Sequence, residues 1–462
     1  MLCGAVVACA VGASLFHVPF EVSDNLGDLL QVADASVSGM FLSNFTQPGF
    51  MRPAAWATSA AVFGVAPEHL FYAYRTVHLA SLATIVFSLV TVLRVRSATT
   101  CALAVVSLMI LIGLHPLQWA LNETELNIKL IVTACCLLTL VLAVGAPAGW
   151  RDGAALVLVA YAMLGNEIGL IAWVTLTAAY LVGFRGVSGR AVAVATALLA
   201  VYFYLRFVQF HVGAPALSER SSGFGLRIRS PQELTALFGE HPLPFYLYNV
   251  ASALLSLLVS EPRNGVFVAV RDALADKLAP ATVVNVVVSA TTTGLMAWFA
   301  GTRLRRWMRL DFEDRDRLFL VTAGAVAANA CISYPYLKDV VMCTAAVFYP
   351  IAAFVAMEAF AERLISQPIR RLAAVGAMAL LLVLSVGWSM RGVGFFVNVR
   401  QQAYRAQADW VAVDDWLAAQ RIRVETPAQR ALVDRLRVQM LGMTPPKVYL
   451  DPQWSGAWFG GG

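Results

Sequence analysis

The sequence predicts an all-α, polytopic membrane protein with about eleven transmembrane helices and a short polar C-terminal tail. Three observations carry that prediction. Hydrophobic residues make up 59% of the 462-residue chain and charged residues only 13%, against roughly 25% in a soluble domain. Apolar runs close to the ~20 residues that a bilayer crossing needs recur throughout, and mean hydropathy is +0.69. The basic residues stand in short clusters between those runs, which is how topology is specified. The net charge of +6 is therefore no nucleic-acid signal; the partner that composition names is the lipid bilayer. Seven cysteines, an odd number lying in apolar stretches, give neither a disulfide framework nor the spacing of a metal site.

Spans are expected near 1–18, 69–93, 101–119, 128–147, 154–165, 168–184, 190–209, 283–301, 318–335, 338–359 and 371–390. The first has no Lys or Arg before it and is read as a retained span rather than a signal peptide. The fifth and sixth are short and bend at Gly165-Asn166-Glu167. Residues 246–282 divide into an apolar half too short for a comfortable span and an amphipathic half suited to an interface, or the two form a re-entrant pair. Arg94, Arg96, Arg151, Arg185, Arg190, Arg303, Arg305, Arg306, Arg309, Arg363, Arg370 and Arg371 all fall on one side, the cytoplasmic one by the positive-inside rule. That places the N-terminus inside, the C-terminus outside, a first outer loop over 19–67, an outer or interfacial segment over 210–282, and an outer tail over 391–462. The transmembrane domain is 1–390. In the tail Trp410, Val413 and Leu417 share one helical face.

The residues able to do chemistry gather at the outer ends of these spans. The first outer loop holds Glu21, Asp24, Asp28 and Asp34 with the single base Arg52. Asp24 and Asp28, four apart, share a face on a short helix, which Ser23 or Asp24 is equally suited simply to cap. Arg52 precedes Pro53 at the start of a helix, where an interfacial anchor is the plainer role. Arg75 lies about two turns inside the second span and needs an acid, a carbonyl or a phosphate. His115 ends the third span before Pro116, and Glu123 and Glu125 follow. Glu167 sits between two short apolar spans, either pairing with a base or closing a turn. Lys338 and Asp339 stand between two more. Transfer from a lipid phosphate suits such a set. Fixed cations neutralise the leaving phosphate, and a carboxylate activates the acceptor hydroxyl. Arg52, Arg75 and Lys338 are the candidate phosphate ligands, with His115, Glu125 and Glu167 as further substrate contacts. Asp24 and Asp28 are the candidate catalytic acids. Asp28 either orients the acceptor or helps hold a divalent cation; no dedicated metal site is expected.

Several short motifs occur in a telling order: Ser23-Asp24-Asn25 after the first span, Arg52-Pro53, FGVAPEHLFYAYRTVHLASL, LHPLQ at 114–118, GNEIGL at 165–170 and YPYLKD at 334–339. Through them residues 1 to about 360 resemble the GT-C superfamily of integral membrane glycosyltransferases, nearest the protein O-mannosyltransferase-like and tetratricopeptide-bearing mannosyltransferase branch. The resemblance implies an inverting transferase with a polyprenyl-phosphate-linked sugar donor and Asp24 as catalytic acid/base. The implied acceptor is periplasmic: a protein, glycan or lipid hydroxyl. Asn25 stands where the family often has a second acid, and Asn166 where it commonly has a Lys. Compact loops without organelle signals point to a bacterial inner membrane with the active face toward the periplasm. A transporter or flippase for a lipid-linked or small anionic substrate is the rival from another class. It predicts broken helices and polar residues midway along spans. A non-catalytic protein that keeps the fold is the third reading.

Overall fold

The computed structural model describes residues 2–46, 50–122, 128–212, 217, 222–259, 263–366, 371–447 and 458, apart from the side chains of Asp24, of Ser222 and of 365–366, 371–374 and 377. The chain opens with α1 (Leu2–Leu15), α2 (Asp24–Ala33), α3 (Val37–Ser43), α4 (Pro53–Val65) and α5 (Leu70–Leu93). Pro53 occupies the first turn of α4, where a missing N–H costs nothing. α6 (Ala98–Gly113) starts on a capping box: the Ser97 hydroxyl accepts from Thr100 N at 3.1 Å, and the Thr100 hydroxyl from Ser97 N at 2.9 Å. This pairing satisfies two donors that would otherwise be orphaned at a helix start. α7 (His115–Asn122) turns away from α6 by 60°. α8 (Ile128–Val144), α9 (Gly149–Gly165), α10 (Leu170–Leu181) and α11 (Gly189–Phe203) follow.

A π-helical turn over Tyr204–Gln209 extends α11. Beyond it, β1 (Ser222–Phe224) and β2 (Arg227–Arg229) form a small antiparallel hairpin in the register Ser222↔Arg229, Gly223↔Ile228 and Phe224↔Arg227. Its two-residue turn, Gly225-Leu226, has both φ angles positive, as the twist of a tight hairpin requires. α12 (Pro231–Phe238), α13 (Leu243–Leu258), α14 (Val268–Leu274), α15 (Pro280–Trp307), α16 (Asp314–Ile332), α17 (Cys343–Ser366), α18 (Arg371–Val411), α19 (Val413–Ala418) and α20 (Pro427–Leu441) complete the chain.

The protein is thus an all-α membrane protein, but the expected eleven spans are not all present as such. Among the described residues five helices are long and apolar enough to cross a membrane: Leu70–Leu93, Gly189–Gln209, Pro280–Trp307, Asp339–Leu364 and Met378–Val411. The bent pair α6–α7 makes a sixth if it counts as one span. The expected spans at 1–18, 128–147, 154–165 and 168–184 do form helices. Yet α1, α8, α9 and α10 have 14, 17, 17 and 12 residues, no more than about 26 Å at 1.5 Å per residue against a hydrocarbon core of about 30 Å. α16 opens on the charged run Asp314-Arg315-Asp316-Arg317. The boundary at 391 also moves. α18 runs unbroken for 41 residues through it, because Arg391 is buried and donates to the Ser289 hydroxyl at 2.6 Å. The bend at 165–167 and the division of 246–282 into α13 and an α14 without buried residues match expectation.

α17 is the axis of the bundle. It is apolar all round and almost wholly buried, the signature of a helix surrounded by others, and it packs against α6, α8, α15 and α16. A second hydrophobic cluster lies apart from this core. In it Leu26, Leu29 and Leu30 of α2 meet Trp410, Val413, Leu432, Val433 and Leu436 of the C-terminal helices. The expected amphipathic face of the tail therefore packs against α2.

The arginine-rich loops converge on one end of the bundle. Arg94 donates to Val144 O at 2.9 Å and lies 3.7 Å from Asp314. Gly186 N donates to Ala143 O at 3.0 Å, and Ser188 N to Asp152 at 2.8 Å. Arg315 reaches Glu358 at 3.0 Å. α5, α9 and α17 all have their other ends at the opposite pole.

Candidate functional site

At that opposite pole lies a cavity of about 780 Å³. Its walls come from distant parts of the chain. α2 supplies Ser23, Asp28 and Gln31, and the start of α4 supplies Arg52 and Trp56. Lys129 opens α8, and Asn166 and Glu167 come from the break before α10. Tyr202, Phe203, Arg206 and Phe207 follow from α11 and its π turn. The loop after α16 gives Tyr334, Tyr336 and Lys338, and the C-terminal region gives Trp416 and Arg421.

Glu167 is the hub. The α9 helix stops at Gly165, and the Asn166 side chain accepts the Ile168 amide at 3.2 Å, capping a single 3₁₀ turn over Glu167–Gly169. Gly169 is required there, since a Cβ would stand 1.9 Å from Ala162 O. The turn aims the Glu167 carboxylate at two guanidinium groups. Arg52 donates to Oε2 from Nη2 at 2.8 Å and from Nε at 3.1 Å, and Arg206 Nη2 lies 3.2 Å from Oε1. Arg206 is braced in turn, donating to the Tyr202 hydroxyl at 2.7 Å and to Val212 O at 3.3 Å. The π turn falls at Arg206, and such turns concentrate at functional sites. Arg52 also stacks over the Phe50 ring at 4.4 Å. Charge-assisted, two-pronged contacts of this type are strong and geometrically specific.

Of the residues expected to act, Asp28, Arg52, Glu167 and Lys338 meet in this cavity. Asp24 opens α2 one turn before Asp28, as its spacing predicts, although its side chain lies outside the described residues. Ser23 occupies the N-cap position and makes no side-chain cap hydrogen bond. Glu125 lies outside the described residues. Arg75 and His115 are corrections. Arg75 is buried and does not line the cavity. Its Nη2 donates to Val18 O, just past α1, at 2.7 Å and it packs on Phe71, while Nε and Nη1 are buried without a hydrogen-bond partner among the described residues. His115 is swung into the bundle by the α6–α7 bend. Its Nε2 accepts from Trp119 Nε1 at 2.7 Å, and its Nδ1 lies 3.5 Å from Asp339.

Sequence reasoning missed Arg206. It is the only charged residue between Arg190 and Glu219, and a single charge near the end of an apolar span was the signal. Among the described residues the cavity wall carries five cations, Arg52, Lys129, Arg206, Lys338 and Arg421, against the carboxylates of Asp28 and Glu167. That surplus favours an anionic ligand, while the aromatic share of the wall provides apolar contact area. The chain matches no protein-family model, no curated protein and no solved structure.

Proposed function

We propose that the chain is a membrane glycosyltransferase of the GT-C type. In this reading it moves a sugar from a polyprenyl-phosphate donor to an acceptor hydroxyl, on the periplasmic face of a bacterial inner membrane. The observation that supports it most is the meeting, in one cavity, of the first-loop acid helix and the cations of five other segments. The acceptor oxygen attacks the anomeric carbon from the face opposite the phosphate. The bond from that carbon to the phosphate oxygen breaks, and the phosphate leaves with the electron pair. Asp24 on α2 takes the acceptor proton, with Asp28 one turn away orienting the hydroxyl. Lys338, Lys129 and the Arg52–Glu167–Arg206 group face the charge that builds on the leaving phosphate, where fixed cations lower the barrier.

The test is transfer in proteoliposomes supplied with a radiolabelled polyprenyl-phosphate sugar and cell-envelope acceptors. Label should move to an envelope component and free polyprenyl phosphate should accumulate. No transfer with any envelope fraction would overturn the reading. One set of observations favours a second reading, a transporter or flippase: the break at 165–169, the π turn at 204–209 and Arg391 buried midway along α18. Discontinuous helices and mid-span charges are features of transporters. Movement of a labelled lipid across the same vesicles without sugar transfer would decide for it.

A further inference from the structure

We infer that the segment after α18 completes the cavity on its water side, and that Trp416 and Arg421 form an acceptor subsite there for a sugar ring bearing a carboxylate or phosphate. This deepens the transferase reading and rests on it for the word acceptor.

The C-terminal helices are fastened to the acid-bearing helix. Trp410 Nε1 donates to Phe20 O at 2.6 Å, Gln429 Nε2 to Leu30 O at 3.1 Å, and the Thr426 hydroxyl to Asp34 at 3.3 Å. The second hydrophobic cluster seals the same seam. α19 is thereby fixed beside α2, and Trp416 and Arg421 line the cavity along with Ser23, Asp28 and Gln31. None of these five comes from a membrane-crossing helix, whereas Arg206 and Phe207 opposite them do.

Arg421 is held against Trp416 at the cavity wall. Its amide donates to Trp416 O at 3.1 Å and its guanidinium lies 5.3 Å from the Trp416 ring, closing a turn in which Gln420 takes a positive φ of 52°. Among the described residues it has no ion pair. Its neighbours behave otherwise: Arg430 and Arg437 both bind Asp414, at 3.3 and 2.7 Å. An exposed guanidinium fixed on an indole at a cavity wall is prepared for a carboxylate or phosphate. The indole offers a flat apolar face to the C–H side of a sugar ring, and Ser23, Gln31 and Asp28 supply hydroxyl partners.

The experiment is fluorescence titration of the full chain in nanodiscs, with Trp416→Phe identifying the Trp416 signal. The probes are glucose, glucuronate, glucose 6-phosphate and farnesyl phosphate. Glucuronate and glucose 6-phosphate should change the Trp416 signal and bind about tenfold or more tightly than glucose, as one charge-assisted contact allows. Arg421→Ala should erase that preference with an unchanged melting temperature, and Arg421→Lys should restore part of it. Equal affinity for glucose and glucuronate, or a preference that survives Arg421→Ala, overturns the subsite. So does a dependence on Arg421 seen with farnesyl phosphate alone, which would assign the residue to a lipid headgroup. Binding is read without turnover, so the subsite can stand where transfer fails, and the reverse.

Discussion

The two poles of the bundle use the same residue types for different ends. At the arginine-rich pole Arg94–Asp314 and Arg315–Glu358 tie separate helices together, but the exposed pairs around the α15–α16 turn join near neighbours. Arg306 pairs with Asp311 and Glu313, and Arg317 with Asp314. At the cavity pole Arg52, Glu167 and Arg206 come from three separate regions, and Arg206 is only 6% exposed. Exposed local pairs contribute little to stability, and arginine clusters between apolar runs are the pattern by which topology is specified. A partly buried network is costly to assemble, and removing one member strands the others. Charge in the first place addresses the chain, and in the second equips it.

The sharpest way to break this comparison is topological, and its effect is all or none. A reporter active only after export should be silent when inserted at residues 310–312 and active when fused after residue 447. Equal activity at both sites would separate the arginine-rich pole from the cytoplasm and remove the sidedness of the site.

The next effect is catalytic. Asp24→Asn keeps the shape of the side chain and its fitness to start a helix while deleting the base. Turnover in the transfer assay should fall by about 10²–10⁴, with the melting temperature close to that of the wild type. Near-normal turnover would leave Asp24 a cap and move the role to Asp28, which lines the cavity one turn on.

This division was only half legible in the sequence. The acids and bases at span ends were visible as exceptions in apolar surroundings, and Asp28, Arg52, Glu167 and Lys338 do converge. Arg75 and His115 were exceptions of the same appearance but lie off the cavity wall, one with a single donor on the Val18 carbonyl and one beside Trp119 and Asp339. A sequence shows that a buried charge needs a partner; it does not show whether a nearby backbone group meets the need. The span count failed for a related reason. Apolar composition reports burial, and α1, α8 and α10 pack against other helices while being shorter than a bilayer crossing needs. The role of the C-terminal helices was hidden because the contacts between Trp410 and Phe20, or Gln429 and Leu30, span some four hundred residues.

The smallest predicted effects compare one acid from each pole. Glu167→Ala strands Arg52 and Arg206 in a partly buried setting and should cost about 3 kcal/mol or more in thermal or denaturant unfolding. Glu313→Gln at the other pole should cost far less. Glu313 accepts from Arg306 at 2.6 Å and from Arg303 at 3.0 Å, and the hydrogen bond from Arg306, with the charges of both arginines, holds its carboxyl below the usual value of 4.5. A depressed carboxylate contributes stability that is present above the unfolded value and lost as pH falls through the folded one. The small penalty of Glu313→Gln should therefore appear at neutral pH, shrink in molar salt, and vanish once the pH is well below the ordinary glutamate range. Unfolding of wild type and variant followed from neutral to strongly acidic pH checks the sign. A Glu313→Gln penalty as large as that of Glu167→Ala, or one that grows on acidification, would mean that the arginine-rich pole is a buried network like the cavity and that the contrast between the two poles does not hold.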